Sequence, residues 1–160
     1  MIIFLGFLFW IVFMLIIGAL ISYPLLIGVF WLIDIVTLLS ILLPIIFFFC
    51  VTKSGRFIGG YIKSSFKRNH QYNAAELENI ARAAKNTVKI ALAAGWFNFL
   101  IAFIMIFVIN TDFDPEFMII GASFALSVLS LLYSISIAFF MFFPLQAWAE
   151  NKASLIKRED

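Results

Sequence analysis

Four serines and one asparagine are the residues of this chain best spaced to do chemistry inside apolar helices. Ser123, Ser127, Ser130 and Ser134 recur at intervals of four, three and four, and Ala138 continues the row. On a helix those intervals place all five small side chains on one stripe. Small side chains let a second helix approach closely, and hydroxyls can hydrogen-bond across the contact or orient water along it. Two readings stay open: a tight seam that the serines merely fill, and a polar track in which Ser127, Ser130 and Ser134 line an ion path. Asn98 stands on another small-residue stripe, where a buried asparagine sets helix register or joins such a path. No nucleophile–base–acid set is visible, which points away from an enzyme. Cys50 is the single cysteine and His70 the single histidine, so neither a metal centre nor a cofactor loop is expected.

The elements that must position these residues are membrane helices. The 160 residues are 64% apolar and only 12% charged, about half the charged share of an ordinary soluble domain. The expected fold is all-α, an integral membrane protein with four transmembrane helices, the third and fourth long and reaching into the cytoplasm. From Ile2 to Cys50 the only ionisable side chains before the cysteine are Tyr23 and Asp34. That stretch would make roughly 73 Å of helix, about twice one span, so residues 1–51 read as a two-helix hairpin. Its spans cover about 2–22, taken as a retained helix rather than a signal peptide, and 35–51. Asp34 then caps the second span at the outer surface, where a carboxylate suits the free amides.

Residues 52–73 form a basic amphipathic segment in which Lys53, Arg56, Lys63, Lys67 and Arg68 alternate with aromatic and aliphatic residues. This pattern predicts a helix at an anionic lipid surface rather than a nucleic-acid contact. Asn73 and Glu76 form a capping box for the helix that follows. Along that helix a stripe runs Leu77, Ala81, Ala84, Val88, Ala91, Gly95, Asn98, Ala102 at alternating spacings of four and three. It predicts one long helix over 74–110, packed against a neighbour through Ala91, Gly95 and Ala102. An outer acidic turn (111–116), a fourth span (117–149) and a mixed-charge cytoplasmic tail (150–160) complete the chain. All eleven Lys and Arg lie between Lys53 and Lys89 or in the tail. By the positive-inside rule both termini and the 51–93 region are cytoplasmic and the acidic turn lies outside.

Several of these residues also stand in a family pattern. Ala125, Tyr133, Ala138 and Pro144 fall at the spacing of A-x-A-L-L-T-T-L-Y-G-x3-A-x5-P, with Ser130 at the first threonine and Ser134 at the glycine. Asp114-Pro115 followed by Gly121 is similar to the D-P-x-x-x-G approach to that span, and Ile33-Asp34-Ile35 is similar to F-I-D-x-P-S-L-L. On these residues the chain resembles the MotA/TolQ/ExbB proton-channel family, nearest to flagellar stator A-subunits (MotA-type). It departs from them in its third span, which has Ala94-Gly95-Trp96 and no proline, and in having about 40 residues where a cytoplasmic domain stands.

The resemblance implies a homo-oligomer, a pentamer, in the bacterial inner membrane. It further implies a single-span membrane partner with an intramembrane aspartate, because this chain has no carboxylate in the membrane parts of its third and fourth spans. Such a pair couples proton or sodium flow to mechanical work. The alternative is a four-helix scaffold or assembly protein without transport.

Overall fold

In a computed structural model the described residues are 4–6, 8, 9, 11, 12, 16, 34–65, 72–109 and 117–159. The named elements are all helical: α1 (Ile35–Val51), α2 (Ser54–Ser65), α3 (Ala74–Ile109), α4 (Phe117–Ser136) and α5 (Phe143–Glu159). A π-helical turn over Ile137–Phe142 joins α4 to α5 without a break. Two helical stretches, Ala74–Ile106 and Ser127–Arg158, are long and apolar enough to cross a membrane. α1 and α2, bent by 99° at their junction, make a third if they count as one span. Span 2–22 lies mostly outside the described residues, and the 111–116 turn does so entirely.

α1 begins where its cap allows. Asp34 Oδ1 accepts the Val36 N–H at 3.1 Å, and Oδ2 accepts the Thr37 hydroxyl. The cap satisfies one of the amides that every helix start leaves open. At the far end Thr52 turns the chain, its N–H and hydroxyl both donating to the Phe48 carbonyl. Gly55 makes the sharp bend possible, since a Cβ there would sit 2.7 Å from the Phe49 carbonyl oxygen. α3 opens on the Asn73–Glu76 box: Asn73 Oδ1 accepts the Glu76 N–H at 2.7 Å, and Glu76 accepts the Asn73 N–H at 3.2 Å.

α3 is the spine against which α1, α2, α4 and α5 all pack. Its buried residues include Leu77, Ala81, Ala84, Ala91 and Gly95, with Val88, Asn98 and Ala102 half-buried, so the predicted stripe is the packed face. α5 meets α3 through Leu145, Ala149 and Ala153, with Ile156 partly buried beside them. The helix runs unbroken to Glu159, through nearly all of the mixed-charge 150–160 segment. Its small and apolar residues continue one stripe at helical spacing, and burial on that stripe outweighs the exposed charges between them.

The fourth span runs through Pro144. This proline has no N–H for the carbonyl four residues back, and the chain accommodates it with the π turn, closed by Phe143 N–H to the Ala138 carbonyl. The first helical residues rest on this turn. Gly6 lies so near the Phe140 carbonyl that no Cβ would fit, and the Phe9 and Phe140 rings are 5.2 Å apart. Around the bundle the exposed side chains are large and apolar, Phe47, Trp96, Phe97, Ile104, Phe124 and Phe139 among them. Such a surface suits hydrocarbon and not water.

Candidate functional site

The serine row and the α3 stripe meet inside one chain. Ser127 and Ser134 are fully buried and Ser130 is 2% exposed. The point of closest approach is Gly95, where a Cβ would overlap Ser134 Oγ and Cβ and stand 3.2 Å from the Ser130 carbonyl oxygen. A glycine on one helix facing serines on the other is what lets the backbones touch. Ala138 and Ala91 extend the same contact, both with no exposed surface.

Each serine hydroxyl in this seam donates to a carbonyl three residues back on its own helix. Ser127 donates to Phe124 at 2.7 Å, Ser130 to Ser127 at 2.7 Å and Ser134 to Leu131 at 2.9 Å. Among the described residues Ser130 alone of the three has a second acceptor across the seam, the Gly95 carbonyl at 3.3 Å. The Ser127 carbonyl is the main acceptor and the Gly95 carbonyl, at the longer distance, a weaker second. The side chain of Ser123, and all of Asp114 and Pro115, lie outside the described residues.

Asn98 is turned away from this row. Its amide donates to Ser40 Oγ on α1 at 2.7 Å, and Ser40 in turn donates to the Thr37 carbonyl at 2.7 Å. It therefore ties α3 to α1, a register role, while Ala102 is half-buried on the same side of the helix. Tyr133 also reaches α1: its buried hydroxyl accepts the Asp34 N–H at 3.0 Å. The sequence singled out Asp34 and Tyr133 separately, 99 residues apart, and the fold joins them.

At the opposite end, beyond the apolar zone, α2 spends one face on the protein. Ile58, Tyr61 and Ser64 are buried, so the apolar side expected at lipid is partly covered. Tyr61, Tyr72 and Trp148 cluster with ring centroids 5.3 to 6.3 Å apart. Lys152 Nζ stands 5.3 Å from the centroid of Tyr72 and 5.4 Å from that of Trp148, a cation–π pairing that ties α5 to the segment before α3. Lys53, Arg56 and Lys63 are exposed, while Lys67 and Arg68 lie outside the described residues. Arg56 and Lys63 line a cleft of about 400 Å³ with Tyr61, Ser64, Tyr72 and Glu76. Reading the sequence did not find this cleft. Its only linear trace is Arg56, Gly60 and Lys63 at spacings of four and three. Among the described residues no group of three or more His, Cys, Asp or Glu is placed to hold a metal ion.

Comparison with protein-family models, curated proteins and solved structures finds no match to this chain.

Proposed function

We propose that the chain is a subunit of an ion-driven membrane machine, coupling proton or sodium flow to mechanical work with a single-span partner. The observation that carries this reading is the buried column of hydroxyls, Ser127, Ser130 and Ser134, packed on Gly95 where two long apolar helices meet. The column contains no carboxylate, and charge cannot cross hydrocarbon without a titratable group or ordered water. A second chain must then bring the acid. The Asp34–Tyr133 bond adds support, because it links two of the residues on which the resemblance to MotA-type subunits rests. In this reading the chain makes four spans with both termini in the cytoplasm, and five copies surround the acid-bearing partner. It is not an enzyme, and its place is a bacterial inner membrane.

A four-helix scaffold without transport is the second reading. It is favoured by the hydroxyls themselves, since each already donates within its own helix as a purely structural serine would. Ion uptake into vesicles, with and without a co-purifying acid-bearing single-span protein, separates the two. Flux only with the partner, lowered by Ser130→Ala and largely kept by Ser130→Thr, is expected. Flux from this chain alone would overturn the two-chain mechanism, and absence of any such partner from the purified complex would leave the scaffold.

A further inference from the structure

We propose that the cleft between α2 and the start of α3 seats the phosphate headgroup of an anionic glycerophospholipid. This rests on the membrane reading of the chain but not on ion flow. Arg56, Gly60 and Lys63 form one stripe of α2, the two cations seven residues and about 10 Å apart along the axis. Between them Gly60 leaves a notch, since a Cβ there would meet nothing within 4 Å. A phosphate can enter that notch and be held from both sides, by a planar guanidinium and by an ammonium. Among the described residues neither cation has a carboxylate at ion-pair distance.

The walls have a matching chemistry. Tyr61, Ser64 and Tyr72 line one side, with the Ser64 and Tyr72 hydroxyls bonded to each other and Ser64 also within 3.0 Å of the Tyr61 carbonyl. Phe57 and Ile80 supply apolar wall. Glu76 is the one acid in the lining, and its carboxylate is engaged by the Asn73 N–H at the helix cap. The cleft's volume of about 400 Å³ fits a headgroup and is far larger than a bare ion needs.

Position decides for a lipid over a free phosphate ester. α2 turns 99° from α1, so it lies in the membrane plane when α1 crosses the bilayer. Exposed Val51 lies at this junction, and exposed Leu43 and Phe47 continue its face along α1, an apolar track for acyl chains.

The test uses full-length protein, delipidated in detergent and titrated with short-chain phosphatidylglycerol, the matching phosphatidylcholine, and glycerol 3-phosphate. Native mass spectrometry reads the bound ligand. Saturable retention of phosphatidylglycerol is expected, with little phosphatidylcholine or glycerol 3-phosphate. Arg56→Gln with Lys63→Gln should weaken it about 30-fold, since each basic side chain near an anionic headgroup is worth about fivefold. Gly60→Leu keeps every charge and favours helix, yet fills the notch, and should weaken retention comparably. Lys85→Gln with Lys89→Gln, on α3, should leave it unchanged. Wild-type binding by Gly60→Leu, or equal losses from both charge pairs, would mean diffuse attraction and overturn the site. Equal binding of glycerol 3-phosphate would overturn the lipid.

Discussion

Replacing Gly95 by alanine tests the α3–α4 seam most directly. The added Cβ would overlap Ser134 Oγ and Cβ and come within 3.2 Å of the Ser130 carbonyl oxygen. Rotating the Ser134 side chain moves Oγ but not Cβ, so the helices themselves must part by roughly 1 Å to reach ordinary carbon–carbon contact. Overpacking of this kind costs about 1–3 kcal/mol. Alanine's better helix propensity returns about 1 kcal/mol, which leaves a net loss of about 0–2 kcal/mol. Gly59→Ala is the control. A Cβ there meets nothing within 4 Å, so that variant should gain up to about 1 kcal/mol from propensity alone. Ser134→Gly removes both clashing atoms, and combined with Gly95→Ala it should show a coupling of at least about 1 kcal/mol. Unfolding in mixed micelles followed by far-ultraviolet circular dichroism measures the four variants against wild type. If Gly95→Ala matches Gly59→Ala, or if the double variant shows no coupling, the two helices do not touch at this point.

Two further outcomes follow from individual contacts. Tyr133→Phe removes the hydroxyl that accepts the Asp34 N–H, and should cost about 1 kcal/mol while speeding hydrogen exchange at Asp34 more than elsewhere in α1. Glu78 is paired with Lys157 at 2.5 Å, and its carboxyl is held below the ordinary carboxylate range, first by that hydrogen bond and then by the lysine's charge. A lowered carboxyl pKa stabilises the fold above the unfolded carboxylate range, and the contribution is lost as pH falls through the lower, folded value. Lys157→Gln should therefore move the Glu78 titration, read by carboxyl carbon NMR shifts, back up toward its ordinary range. Salt should shrink the difference, since both side chains are exposed.

What could be read from the sequence was whatever depends on one helix at a time. The Asp34 cap and the Asn73–Glu76 box are local bonds spanning three residues or fewer, and residue type and spacing announce both. The α3 stripe was legible because small residues at a 3.5-residue period can bury only one face. Pairings between helices were not legible. Asn98 was expected beside Ser130, yet the α1–α3 crossing gives its amide to Ser40. The packing of α5 on α3 was not legible because charges dominate residues 150–160, while the buried Ala149 and Ala153 are inconspicuous in the sequence. The aromatic cluster of Tyr61, Tyr72 and Trp148 joins three distant segments, and no linear motif marks such a meeting.

The closed seam constrains how ions could move in the ion-coupled reading. Outward from it, α3 presents Trp96, Phe97, Leu100 and Ile104, and α4 with the π turn presents Phe124, Val128, Ile135 and Phe139, all exposed and apolar. A partner carboxylate laid on those faces finds no donor, so burial holds it in the neutral, protonated form. The hydroxyls that could solvate its charged form lie behind α3, nearly or fully buried. Charge on the partner and a closed seam are thus incompatible, and deprotonation would be linked to separation of α3 from α4. That separation costs little at Ser130, the serine with a bond across the seam. When the Gly95 carbonyl at 3.3 Å moves off, the hydroxyl keeps its 2.7 Å bond to Ser127 and strands no donor. The π turn over Ile137–Phe142 itself packs against α3, with Ala138 fully buried, and α5 continues that packing. A proton arriving or leaving at the partner would then be felt as a movement of α4 against α3, the kind of movement from which mechanical work can be drawn.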